Sequence, residues 1–119
     1  MLSTSDPKQY EIWDVNLNPV AGSELGKSRP VVVISNDIIN RSTLRIVVPI
    51  TEYKPKHESF IWIIKITPDK TNNLLKDSAI DSMNVRSVDI SRFQRRRGSI
   101  KVELLQDILR ALKLITDIT

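Results

Sequence analysis

The side chains with the most chemical promise are an arginine and a threonine at opposite ends of two expected strands. Arg29 opens the apolar run in "GSELGKSRPVVVIS" (residues 22–35), and Thr51 closes the next one, "LRIVVPIT" (44–51). Ser23 and Glu24 stand between Gly22 and Gly26, and Lys27 follows. A guanidinium, hydroxyl donors and the free backbone N–H groups of a glycine-containing loop together make a site for a tetrahedral oxyanion such as phosphate. The plainer alternative is that Arg29 pairs with a nearby carboxylate and Thr51 does no more than end a strand.

Most other chemistries lack their residues. There is no P-loop, dinucleotide glycine fingerprint, HExxH or nucleophile elbow. The absence of cysteine rules out a disulfide framework and thiolate metal sites. His57, the only histidine, leaves little for zinc, makes a Ser-His-Asp triad a poor fit and excludes two-histidine ribonuclease chemistry by count. It reads as a solvated residue of the basic loop "YKPKHES", and operation without metal or cofactor is expected. The longest apolar runs, "VVVI" and "IWII", fall far short of the roughly 20 residues of a membrane span. "MLSTSDPKQYE" has no signal-peptide pattern, so a cytoplasmic protein is expected. A net charge of +4 leans toward anionic partners. Arg86, Arg92 and Arg95 to Arg97 crowd one segment, which reads either as a solvated turn before the last helix or as a phosphate-facing patch.

At 119 residues the chain fits one domain, 1–119, with residues 1–9 as a flexible lead broken by Pro7. "YEIWDVNL" (10–17) alternates as a strand should, with Ile12 on one side and Trp13, Val15 and Leu17 on the other. The polar loop 18–28 is long for a hairpin connection, which points to function. Strands are expected at 29–35, 44–51 and 60–66, with one or two short ones in 78–89. Pro30 is tolerated as a strand opener, while Pro49 marks a bulge or an unpaired donor position. Trp13 and Trp62 both fall on expected strands, where core packing accounts for them better than base stacking. Val102, Leu105, Ile108, Leu109, Leu112 and Ile115 recur at three- and four-residue steps, drawing an amphipathic helix over about 101–116. The fold class is therefore mainly β, a strongly curved antiparallel sheet or open barrel closed on one side by a C-terminal helix. If the second and third strands pair as an antiparallel hairpin, Arg29 and Thr51 become neighbours.

"IWDVNLNPVAGSELGKSRPVVVISND" resembles the opening signature of the MazF/PemK toxin family: an apolar strand, an N-P turn, a G-S-E loop, an R-P strand and an N-D turn. "VVPIT", "LLKDSAI", "NVRSVDISRF" and "ELLQDILRALKLI" resemble its later motifs in the same order, so the likeness covers nearly the whole chain from Tyr10. The resemblance implies a small SH3-like barrel of the CcdB/MazF type with a C-terminal helix, usually a homodimer. It implies a metal-independent, sequence-specific endoribonuclease that cuts single-stranded RNA, the toxin of a type II toxin–antitoxin pair restrained by a cognate antitoxin protein. The family's catalytic arginine and threonine match Arg29 and Thr51. Its loop residues match Ser23 and Glu24, with Lys27 beside them, and its RNA-binding edge matches Asn84 and Arg86.

Two departures stand out: Glu52 follows Thr51 where many relatives carry a small neutral residue, and Lys101 replaces a helix-capping serine. Two other readings compete: a non-enzymatic toxin resembling CcdB, which poisons a protein target such as DNA gyrase, and a basic barrel that binds RNA without cutting it.

Overall fold

The computed structural model describes residues 5–119. Seven strands precede one helix: β1 (Glu11–Asn16), β2 (Ser28–Val33), β3 (Leu44–Glu52), β4 (Ile63–Ile66), β5 (Ser78–Asp81), β6 (Arg86–Asp89), β7 (Phe93–Ser99) and α1 (Val102–Ile115). All pairings are antiparallel, in the order β4-β5-β3-β2-β1-β7, with β6 also on β3. The mainly β fold with a terminal helix is as expected. The sheet stays open, because β4 and β7 at its two ends do not pair with each other.

β3 is the hinge of this arrangement. One edge meets β2 over Val47–Pro49, while the other meets β6 along Leu44–Val47 and then β5 along Ile50–Glu52. Pro49 falls in the gap between those two partners, where a missing N–H costs the ladder nothing on that side. The β2–β3 register runs without a shift, so of the two expectations for Pro49 the bulge is not the one realised.

The unbroken apolar character of β2 and β3 has a direct cause: both are covered on both faces. Val32, Val48 and Ile50 join Ile12, Ile80, Leu105 and Ile108 in one core beneath α1. Val31, Val33 and Val47 join Val15, Leu17 and Val88 in a second core on the opposite face. β-branched residues suit this doubly packed surface. The helix begins where expected, and no side chain caps it at Lys101. Leu105, Ile108 and Ala111 form its buried line, whereas Val102 and Leu109 of the expected stripe face outward.

Three sequence expectations change. Residues 1–4 of the supposed flexible lead lie outside the described residues, but 5–9 are held down. Pro7 is buried and its carbonyl accepts from Arg45 Nε at 2.8 Å, while Gln9 bonds Asp37 Oδ1 and the Ile34 carbonyl. Arg45 itself is only 1% exposed; burial lowers its pKa, an effect opposed by the carboxylates of Asp6 and Asp37. Second, the arginine run is neither a turn nor a free patch. It forms β7 beside β1, with Arg95 and Arg97 on Asp14 and Arg96 on Glu11. Third, the strand expected at 60–66 begins only at Ile63, leaving Phe60 to Trp62 in the preceding turn.

Candidate functional site

Continuing the Val31↔Pro49 register by two residues sets Arg29 opposite Thr51, and there the two side chains meet. Arg29 NH1 donates to Thr51 Oγ1 at 3.0 Å, and Nε donates to the Gly26 carbonyl at 2.7 Å. The guanidinium is thereby fixed to a strand and to a loop at once. Its NH2 group has no protein partner among the described residues. Thr51, having accepted from arginine, keeps its own hydroxyl proton for another acceptor. Among the described residues no carboxylate pairs with Arg29, so the plainer alternative for it is set aside.

The loop that presents Gly26 is braced at several points. Asn18 Oδ1 accepts from the Lys27 amide at 2.9 Å, and the Lys27 carbonyl accepts from the Leu17 amide at 2.9 Å, closing the neck. A Cβ on Gly26 would lie 2.6 Å from both Asn18 Oδ1 and a Val20 methyl, so a side chain here would displace Asn18 from the Lys27 amide or push Val20 aside. Gly22 supplies the left-handed turn at φ 56°. Glu24 Oε1 accepts from the Ala21 amide at 2.7 Å, and Asn84 Oδ1 accepts from the Leu25 amide at 2.9 Å. Arg86 NH1 donates to the Leu17 carbonyl at 2.9 Å, and Arg92 NH1 donates to the Asn18 carbonyl at 2.5 Å.

Arg29 and Thr51 lie in an open groove of about 550 Å³, which Ser23 and Asn84 also line. Glu24 and Arg86 border an adjoining hollow instead, and Lys27 lines neither, its side chain being exposed. The seven residues picked out in the sequence thus divide. Arg29, Thr51, Ser23 and Asn84 share the groove, while Glu24, Lys27 and Arg86 touch the loop that shapes it. Glu52 also lines the groove, and its charge is partly offset by Lys76 at 3.5 Å.

The groove is also lined by residues that the sequence does not single out as site residues, among them Lys54, Lys56, Phe60 and Trp62. Their signal was the basic loop running directly into "FIW". His57 is a correction as well: it is 8% exposed, its Nδ1 accepts from the Lys54 amide at 2.9 Å, and its ring lies against Tyr53 and Phe60. It organises the turn Pro55–Ser59 rather than standing in solvent.

The sequence matches the family model described as PemK-like, MazF-like toxin of type II toxin-antitoxin system over residues 8–116. The chain belongs to this toxin family. It is 34% identical to endoribonuclease MazF9 of Mycobacterium tuberculosis, covering 93% of this chain and 97% of the relative. It is 33% identical to endoribonuclease EndoA of Bacillus subtilis, covering 90% and 91%. In three dimensions, MazF from Deinococcus radiodurans superposes with a TM-score of 0.79 at 20% identity, over 95% of this chain and 98% of that one. A mycobacterial endoribonuclease solved in complex with its cognate antitoxin gives 0.73 at 14% identity, over 95% and 97%. The PemK/MazF fold therefore carries the groove described above.

Proposed function

We propose that this PemK/MazF-family chain is an endoribonuclease, the toxin of a type II toxin–antitoxin pair, and that Arg29 and Thr51 are its catalytic residues. The observation that carries the assignment is the 3.0 Å contact between them in the open groove. Attack of a ribose 2′-hydroxyl on the adjacent phosphate builds negative charge on the phosphoryl oxygens. The free NH2 face of Arg29 and the hydroxyl proton of Thr51 are donors fixed beforehand where that charge develops. The products are a 2′,3′-cyclic phosphate and a 5′-hydroxyl, and the reaction needs neither metal nor cofactor. Ser23 and Asn84 contact the RNA from the groove wall, while Glu24, Lys27 and Arg86 hold the loop in shape. Cutting messenger RNA at a short single-stranded sequence stops translation and growth.

On this reading the protein works in the cytoplasm as a single domain. No helix among the described residues is long and apolar enough to cross a membrane. Its cognate antitoxin covers the groove, with acidic residues meeting Lys54 and Lys56 and a disordered tail folding as it binds. The exposed Leu44 and Ile46 of β3, with Ile38 and Ile39 nearby, offer an apolar surface for pairing as a homodimer.

The test is to incubate the purified, antitoxin-free protein with long single-stranded RNA in EDTA, map the ends, and repeat with Arg29→Ala. Cuts at one short sequence with cyclic-phosphate ends, absent in the folded variant, are expected. Cleavage by Arg29→Ala at the wild-type rate would remove Arg29 from the mechanism.

A further inference from the structure

The two tryptophans of this chain occupy different environments. Trp13 packs against the second core, meets Phe93 edge-on at 5.8 Å, and donates its indole N–H to Glu11 at 3.0 Å. Trp62 has none of these attachments. Neither it nor Phe60 packs against either core, and among the described residues its indole N–H has no protein partner. Instead the two rings stack on each other, with centroids 4.8 Å apart and planes within 7°, on the wall of the groove that holds Arg29 and Thr51. The backbone fixes the pair: the Phe60 amide bonds the His57 carbonyl, the Ile63 amide bonds Phe60, and the Trp62 carbonyl accepts from Ser82. Lys54 and Lys56 line the same groove.

An aromatic stack set outside the cores, beside cationic side chains and a phosphate-binding pair, has the makings of a single-strand binding surface. A positive groove follows the backbone there while a base stacks on a ring. We propose that the Phe60–Trp62 stack is the platform for one base of the substrate next to the scissile phosphate, with Trp62 as an affinity- and specificity-determining residue. Its free indole N–H supplies a donor to the base edge or ribose. This rests on the groove being the RNA site proposed above, but it assigns a role to two residues outside the Arg29–Thr51 pair. Core packing, the reading favoured for Trp62 from the sequence, is replaced.

The experiment has a cleavage arm and a binding arm, both with the full chain. In the first, Trp62→Leu and Trp62→Phe are compared with wild type on the mapped RNA. Trp62→Leu is expected to raise KM on the order of ten- to a hundredfold with a smaller change in kcat, and Trp62→Phe to restore most of the affinity. In the second, Trp13→Phe leaves Trp62 as the only tryptophan. Its fluorescence is followed as uncleavable 2′-O-methyl oligonucleotides are added, each with one abasic position. Saturable quenching that is lost when a single position is abasic is expected. Wild-type KM in a folded Trp62→Leu, or binding without quenching, would overturn the platform while leaving the nuclease intact. If wild type cuts no RNA, the proposed function fails and a random-sequence 2′-O-methyl pool decides the platform alone: quenching keeps it, and its absence ends it.

Discussion

Asn84 Oδ1 accepts the amide proton of Leu25 at 2.9 Å, joining two residues 59 positions apart. The Asn84 amide nitrogen in turn donates to Asp81 Oδ2 at 2.9 Å, so the side chain is held from behind. Leu25 precedes Gly26, whose carbonyl fixes Arg29 Nε. Asn84 is therefore coupled to the guanidinium through one turn of loop. Removing it in Asn84→Ala leaves the Leu25 amide without its partner, a loss of about 1 kcal/mol. The expected outcome is a fall of up to about fivefold in kcat/KM, since about 1.4 kcal/mol is a factor of ten. The melting temperature should fall by no more than about 3–6 °C. Cleavage rates and thermal unfolding measured side by side separate this from general destabilisation.

Thr51→Val keeps the shape of the side chain and removes the hydroxyl. On the proposed mechanism a transition-state donor is lost, which typically lowers kcat by about a hundredfold or more. Thr51→Ser should retain most of the activity. For Arg29→Lys the charge remains, but an ammonium cannot reach Gly26 and Thr51 with the geometry of a guanidinium fork, so a similarly large loss is expected. Single-turnover rates at saturating RNA check all three, and a Thr51→Val enzyme with wild-type kcat would exclude the hydroxyl as a donor.

Much of this arrangement could be read from the sequence because its cause is local. The apolar runs around Val31–Val33 and Val47–Ile50 mark two buried strands, and simple hairpin order brings Arg29 to Thr51. The helix shows in its three- and four-residue spacing. What escaped depends on distant partners. The residues of β7 carry three consecutive arginines and no apolar alternation; the strand forms by pairing with β1, where Glu11 and Asp14, more than 80 positions away, supply the opposing charges. His57 looked like a loop residue because nothing in "KPKHES" announces that Tyr53 and Phe60 will enclose it. Trp62 looked like a core residue because its neighbours are strand formers, yet the strand starts one residue after it.

The three arginines of β7 should differ in what they contribute to stability. Arg97 reaches both Asp14 oxygens, and the two side chains are only 19% and 17% exposed. Arg95 shares the same aspartate from a side chain that is 71% exposed. Hydrogen bonds to charged groups in sheltered positions are worth about 1.5–3 kcal/mol, whereas exposed ion pairs contribute about 0–1 kcal/mol. Arg97→Ala is therefore expected to cost about 2 kcal/mol in urea unfolding and Arg95→Ala less than about 1 kcal/mol. Equal costs would contradict the cross-strand account of β7. Because all three charges are already engaged, Arg95→Ala should also weaken RNA binding far less than removal of Lys54, which lines the groove and has no ion-pair partner among the described residues.

Asp89 gives a pH dependence whose sign follows from its contacts. The Ser91 hydroxyl, the Ser91 amide, which donates to Oδ2 at 2.9 Å, the Thr43 hydroxyl and the charge of Arg92 all favour its carboxylate and hold its pKa below the ordinary aspartate value. A folded pKa below the unfolded one means that the unfolded chain binds the proton more readily. The stabilisation is complete above the ordinary aspartate pKa and disappears as pH falls through the lowered folded value. Asp89→Asn keeps an oxygen that can accept from Ser91 but cannot titrate. The variant should therefore be less stable than wild type at neutral pH, with the gap closing as the solution is acidified through that window. Unfolding midpoints of both proteins across the acidic range measure this, and a gap that stays constant with pH would show that the Asp89 charge contributes nothing to the fold.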